Sequence, residues 1–545
     1  MLLPKEKSGG AVGQPSPACL LGRAERGFVN MARVAFQAVR SSMAPRRQGS
    51  AHAGALSVMT SNSPTEPRPA EGSRLTRRAL LLAGGVLAPS ALLLGALAYR
   101  HTRHSPESRA HAPLPPEVTQ RLQRAAEAAE EGLLPLAHAE ASAVLASAPG
   151  HAPALFILAC AALEAGSPAD AESAVARLAS AAPERVEPRL LERLLAHRRA
   201  LPMPGWCDAF RAAWTELGRP DFAREHLLTG PGFDTFEPVP DEDDAVWNTA
   251  SPSVRRVLAL TAYSLPPDRE EWLLRQVPTL EDPAHFVAAA SRLGRSSVSA
   301  ALQRRAAPVL RLKLAELAQA WPRSMQLQLH HQLVDTSEDA PLAPRELEAL
   351  AALSTLPSWR VGTGEETFLE ARRELKAAGV RRAAERAFSL ANQASAGPAH
   401  SLLNKRADAT RSHLLPGARH PLGRALTQVG TRLAAEPLLV PRMLGLMMLK
   451  TGSEDLQDAG ALSRADTALD ELFAMQGPLR KTALPRWPIA SLQEEAWEAN
   501  ARNAEGFLRS FSDAESVRQG LEARPGPDQC VPRSRQPRPD EFAPR

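Results

Sequence analysis

The chain has 545 residues, of which 44% are apolar, 23% charged and only 4% aromatic, with a formal net charge of +5. That length holds two to four ordinary domains or one long repeat array. The positive charge is concentrated at one end: residues 1–58 carry a net +6, 59–99 a net +2 and 100–545 a net −3. The body therefore has no global field to gather phosphates, and no nucleic-acid partner is expected. Arginine outnumbers lysine 58 to 7, which, beside abundant alanine and proline, is the imprint of a G+C-rich coding sequence.

Residues 1–73 are rich in Ser, Pro, Gly and Arg, lack sustained periodicity and read as a disordered basic region. Within them, Phe28 to Val39 has the spacing of a short basic amphipathic helix. Met59 is an alternative start that leaves 18 residues before Arg77, the length of an export-signal head.

Residues 74–99 follow. Arg74, Arg77 and Arg78 lead into 21 uncharged, mostly apolar residues, Ala79 to Tyr99. As a helix that run rises about 30 Å, the thickness of a bilayer's hydrocarbon core. Gly84, Gly85, Pro89 and Gly95 are tolerated in a membrane helix. Thr76-Arg77-Arg78-Ala79-Leu80-Leu81-Leu82 resembles the twin-arginine export signal, with Arg77, Arg78, Leu80 and Leu81 at its signal positions. Thr76 stands where serine is commoner and Leu82 where lysine is frequent. The same residues also serve an ordinary anchor whose arginines hold the cytoplasmic end. Ala96-Leu97-Ala98 fits the small-x-small pattern before a signal-peptide cut, so Ala96 and Ala98 mark a candidate cleavage site. The expected location is the bacterial inner membrane, single-pass, with the C-terminal part periplasmic; export with cleavage is the alternative.

Residues 100–116 form a Pro/His linker. From residue 117, apolar residues recur at three and four, broken by Gly and Pro, nearly to the end. Gly132 and Gly166 are 34 apart, as are Ala137 and Ala171, and Pro149 and Pro183. Leu145-Ala146-Ser147-Ala148-Pro149 recurs as Leu178-Ala179-Ser180-Ala181-Ala182-Pro183. Small residues let a second helix lie close on the first, glycine suits the turn between them, and proline stops the second helix. This pattern resembles the tetratricopeptide repeat, a helix–turn–helix unit of about 34 residues. The resemblance covers 118–183, extends to about 305–357 and 420–478, where Pro322, Pro357, Pro437 and Pro478 mark the spacing, and is absent elsewhere; Pro437 is followed by a helical run from Leu439 to Lys450 and then Gly452. The family's large aromatic positions are mostly Ala, Leu or Arg here.

The resemblance implies an all-α fold: a degenerate helical repeat array, or α-solenoid, after one N-terminal transmembrane or signal helix. It also implies a concave face that binds an extended peptide or a partner helix. Ala154, Phe156 and Glu164 fall either on that face or in the core. A Pro/Gly loop at 229–252 divides a first helical domain, 117–228, from a second block, 253–522. Pro238 and Pro240 argue against helix there. Asp241 to Asp244 lack the alternation of a calcium loop and read as entry to a helix over Asp244–Asn248, or as a solvated loop. Residues 523–545 form a disordered Pro/Arg tail.

No catalytic, cofactor-binding or metal-ligating motif is present in the sequence. His330 and His331 are adjacent on a helix and point about 100° apart. Met443, Met447 and Met448 form a core stripe. Trp487 is a packing or turn residue. Cys160 and Cys207 are core residues, with a disulfide allowed outside the cytoplasm. Arg372, Arg373, Lys376, Arg381, Arg382 and Arg386 alternate with Glu374 and Glu385 as a solvated helix face. What remains is recognition: a non-enzymatic scaffold or assembly factor at the bacterial cell envelope, with other proteins as partners. The alternatives are an exported helical enzyme without a recognisable motif and a membrane-anchored regulator with a cytoplasmic helical domain.

Overall fold

The computed structural model describes residues 115–229, 240–262, 265–295, 297–353, 355–515 and 518. The signal-like segment with Arg77, Arg78, Leu80, Leu81, Ala96 and Ala98 lies outside them, as do the 1–73 region, nearly all of the 100–116 linker and the 523–545 tail. Over the described residues the chain is all-α. Twenty helices are present, with no strand and a single isolated bridge between Ser324 and Ser358. Among these helices none is long and apolar enough to cross a membrane.

The first six helices are α1 (Pro116–Glu130), α2 (Leu134–Ser147), α3 (Ala152–Glu164), α4 (Pro168–Ala181), α5 (Glu187–Arg198) and α6 (Trp206–Glu216). Each of α1 to α5 has proline at its first or second position, where the missing N–H costs nothing. Gly132 and Gly166, with φ of 72° and 66°, close α1 and α3 by the same motif. Leu133 N donates to Ala128 O at 2.8 Å and Ser167 N to Ala162 O at 3.2 Å, the six-to-one bond of a left-handed cap. Ala137 and Ala171 are fully buried where α2 and α4 approach their partners. α1 packs on α2 and α3, α3 on α4 and α5, and α5 on α6.

Then come α7 (Pro240–Thr249), α8 (Pro252–Thr261), α9 (Pro267–Gln276), α10 (Pro283–Leu293), α11 (Ala300–Ala320), α12 (Met325–Leu333), α13 (Pro344–Leu353) and α14 (Gly364–Ala377). The chain continues with α15 (Ala383–Ala396), α16 (Ala399–His413), α17 (His420–Ala434), α18 (Leu439–Leu456), α19 (Ala459–Lys481) and α20 (Ala490–Phe511). Three expectations need correction here. The 229–252 loop gives way to a helix at residue 240, because Pro240 opens α7 instead of forbidding it. Pro478 does not end a helix but lies inside α19, as Pro308 lies inside α11. The helix expected to stop before Gly452 runs on to Leu456.

The last of these has a packing cause. Gly423 and Gly430 on α17 face Gly452 and Gly445 on α18, in antiparallel register. A Cβ on Gly430 would stand 2.8 Å from Gly445 O, one on Gly452 2.8 Å from Gly423 O, and one on Gly445 2.1 Å from Ala434 N. Four absent side chains thus bring two backbones into contact. Gly477, on α19, has nothing within 4 Å.

Three hydrophobic clusters divide the molecule. One unites α1–α6 with residues of α18, α19 and α20. A second unites α8–α11 with α14 and α15, and takes in Trp497 and Ala501 of α20. The third joins α12, α13, α16, α17 and α18. Residues 253–522 are therefore not a separate unit, since their C-terminal helices complete the core of the first six.

Gly445→Ala should lower stability by about 1–3 kcal/mol through overpacking. Gly477→Ala should be neutral or stabilising by up to about 1 kcal/mol. Denaturant midpoints of the two variants check this pair.

Candidate functional site

The chain's own C-terminal segment packs against the first six helices. α19 ends at Lys481, a short 3-10 turn spans Leu484–Arg486, and α20 begins at Ala490. Between them Trp487 is fully buried. Its ring meets Phe156 of α3 at 5.3 Å, Phe210 of α6 at 5.2 Å, and Phe222 and His226 of the following segment at 5.1 and 5.2 Å. These contacts are edge-on, the favoured arrangement of ring quadrupoles. The indole N–H donates to Thr482 O at 2.9 Å, so burial leaves no polar atom of Trp487 unpaired. Phe222 N closes the junction by donating to Lys481 O at 2.8 Å.

The helix ends then cap each other. Glu164, at the end of α3, accepts from Ser491 N at 3.2 Å and from Ser491 Oγ at 2.5 Å. Glu495 of α20 accepts from Trp206 N at 2.6 Å and Cys207 N at 3.1 Å, the first amides of α6. Each carboxylate satisfies orphan N–H groups at the positive end of the other element's helix. Ala490 meanwhile sits over Gly132. Ala154 and Phe156 are fully buried, which places them in the core, and Glu164 lies on the docking line.

The basic stripe is corrected by this arrangement. Its residues fall on two helices, α14 and α15, and on the turn between them. Four of them pair with acidic residues at α1 and α20, Arg372 and Arg381 partly buried and Lys376 and Arg382 still exposed. Arg372 holds Glu498 at 2.9 Å and Lys376 holds Glu494 at 2.5 Å. Arg381 holds Glu127 at 2.9 Å and Glu131 at 2.5 Å, and Arg382 faces Glu130 at 3.9 Å. Burial pushes the Glu130 carboxyl up to about 7, against the opposing pull of Arg382. Arg373 remains exposed.

Other sequence candidates are placed apart. Cys160 and Cys207 are buried free thiols, so no disulfide joins them, and burial raises both above the usual thiol range. His330 is buried and pushed down to about 4 by burial, while His331 is exposed. Met448 is buried, and Met443 and Met447 pack at the edge of the first cluster. Among the described residues no group of His, Cys, Asp or Glu could hold a metal ion. His226 and Glu495 escape sequence analysis, and the capping role of Glu164 does too, because their partners lie up to 327 residues away. No family model, curated protein or solved structure matches this chain.

Trp487→Ala should cost about 3–5 kcal/mol, whereas Trp321→Ala, at a residue 41% exposed, should stay within about 0.5 kcal/mol. Thermal melts of both variants test the contrast.

Burial holds His226, His330 and His400 neutral. Their folded pKa lies below the unfolded value near 6.5, so the unfolded chain binds more protons in acid. Their stabilising effect is complete above that value and is lost as pH falls. Glu130 and Glu436, raised to about 7, act oppositely, destabilising as pH rises from the carboxylate range toward 7. The histidine effect is isolated by difference. His330→Gln should decline in stability less steeply than the native chain between pH 6.5 and 4, and equal slopes would remove His330 from the account.

Proposed function

We propose that this chain is a non-enzymatic helical interaction protein of the bacterial cell envelope. The uncharged run Ala79–Tyr99 holds it to the inner membrane or exports it, and the helical body stands outside the cytoplasm. We further propose that α1–α2, α3–α4 and α5–α6 are three degenerate tetratricopeptide-like units. Three features support this: the 34-residue recurrence of Gly132 and Gly166, the buried Ala137 and Ala171, and the contact of α1 with α3 and of α3 with α5.

The observation that carries the interaction role is α20 itself. A helix with an aromatic anchor lies across the α1–α6 units, its N-terminus touching Gly132, Glu164 and Gly205 at three successive inter-helix turns. An aromatic anchor seating a helix on other helices is a recurring mode of peptide recognition. Because α20 already covers part of these turns, a separate partner is assigned to the apolar side chains left exposed beside them. There Leu133, Leu136, Leu201 and Met203 are 50%, 47%, 94% and 58% exposed, and all four sit at or beside the turns joining α1 to α2 and α5 to α6. Each of the two turns thus carries two exposed apolar side chains close in sequence, the surface a protein contact would cover.

A C-terminal reporter active only outside the cytoplasm tests location. The native chain should give activity, and an inactive reporter would sink the envelope assignment. Loss of activity in the Arg77→Lys, Arg78→Lys double variant identifies the twin-arginine route, whereas retention identifies an ordinary anchor. A photo-crosslinking residue at 133, 136, 201 or 203 should capture one discrete partner protein in cells. No adduct at any of the four would defeat the interaction role.

A further inference from the structure

His226 sits at the junction between the first six helices and the C-terminal segment, and it is only 2% exposed. Its imidazole stands edge-on to Trp487 at 5.2 Å, to Phe156 at 5.3 Å and to Phe222 at 6.3 Å. Leu228 N donates to His226 Nδ1 at 3.1 Å. That bond assigns the proton of the neutral ring to Nε2. Nε2 is sealed from solvent and has no hydrogen-bond partner. The backbone beside the ring is pinned as well. Leu227 N donates to Glu187 Oε1 at 2.9 Å, and Thr229 N to His226 O at 3.1 Å.

A second proton has no place in this arrangement. On Nδ1 it would set one donor against another, the Leu228 N–H, and the charge would stand among rings without its hydration. The charged groups that act on the imidazole are Arg486, from the turn before Trp487, and Arg185, from the approach to α5, and both repel a cation. The carboxylates of the surrounding elements are committed elsewhere. Glu187 of α5 holds Arg185 at 2.6 Å, Glu164 of α3 accepts from Ser491, and Glu495 of α20 accepts from the first amides of α6. Burial first, and then the two arginines, hold the ring well below the usual histidine range.

We propose that His226 is an acid-operated latch, whose protonation releases Trp487 and the N-terminal end of α20 from the first six helices while the second and third hydrophobic clusters stay folded. In the released state the ring is hydrated and titrates near 6.5. Opening therefore takes up a proton and is favoured as pH falls through that value. The second cluster holds α20 further along, at Trp497 and Ala501, so release is confined to the residues before them. What it uncovers is the ring surface of Phe156 and Phe210, the first amides of α6 and the Glu164 carboxylate. The latch rests on the docked geometry and works whether the body lies inside or outside the cytoplasm.

Peptide-resolved hydrogen exchange on the full-length chain at about pH 7 and about pH 5, corrected for the intrinsic pH dependence of amide exchange, tests it. Residues 482–495 should lose at least about tenfold in protection between the two, out of the roughly 30-fold that one group titrating near 6.5 can give. α10, in the second cluster, should change less than about threefold and serves as the internal reference. His226→Gln, whose amide oxygen can still accept from Leu228 N but does not titrate, should hold the change at 482–495 below about threefold as well. His226→Phe keeps a ring in the cage and takes its place if the glutamine variant does not fold. Unchanged protection at 482–495 in the native chain would overturn the proposal. So would an equal loss in α10, which is general acid unfolding, or an undiminished pH dependence in either folded variant.

Discussion

The burial of Trp487 among Phe156, Phe210, Phe222 and His226 is the contact on which the rest of the architecture depends. The first six helices and the segment that follows them set Phe156, Phe210, Phe222 and His226 around one point, and the segment after α19 supplies the ring that fills it. Once Trp487 is seated, Glu164 and Glu495 exchange caps with the helix ends opposite, and α20 is fixed in direction. Its other side then presents Trp497 and Ala501 to the second hydrophobic cluster. One helix thereby ties two cores together. At Asn503, where the backbone leaves helical geometry with φ −159° and ψ 89°, Ala504 N bonds Pro437 O at 2.9 Å. That kink turns the last residues of α20 back toward α6, where Phe511 lies near Trp214.

Electrostatics follow the same plan. Lys376 and Arg372 on α14 reach α20, and Arg381 and Arg382 beyond it reach α1, so a short basic stretch binds two helices far apart in the chain. Partly exposed pairs of this kind contribute modestly to stability, but they discriminate between registers, because a helix shifted by one turn brings like charges together. The fully buried Arg406 is the stronger case. It forms a two-pronged contact with Glu346 at 2.6 and 2.7 Å and holds that carboxyl below the usual range, fixing α13 against α16.

Local rules were readable in the sequence wherever a residue acts on its own neighbourhood. Prolines at the starts of α1 to α5, glycines between paired helices and small residues at Ala137 and Ala171 all act within a few positions, and the helical class follows from them. Trp487 was legible as a packing residue for the same reason, having no aromatic neighbour in sequence to share a surface with. Its cage was not legible, because Phe156 stands more than three hundred residues upstream. The basic stripe was legible only in part: Arg373, Lys376 and Arg382 do face water, but the acidic partners on α1 and α20 lie more than a hundred residues away. Pro240 and Pro478 misled because proline is tolerated near helix ends as well as beyond them. The facing glycines of α17 and α18 needed an antiparallel pairing that only the folded chain reveals.

The kinship of the first and last helices also bears on how the molecule is made. During synthesis the hollow around Phe156 and Phe210 stays open until residue 487 emerges, so every shorter nascent chain displays sticky rings to its surroundings. Long-range closure of this sort is slow to find. A prematurely terminated product lacks the plug altogether and is a ready client for chaperones and proteases. The architecture thus makes residues 482–511 the closing piece of the core that residues 116–228 begin.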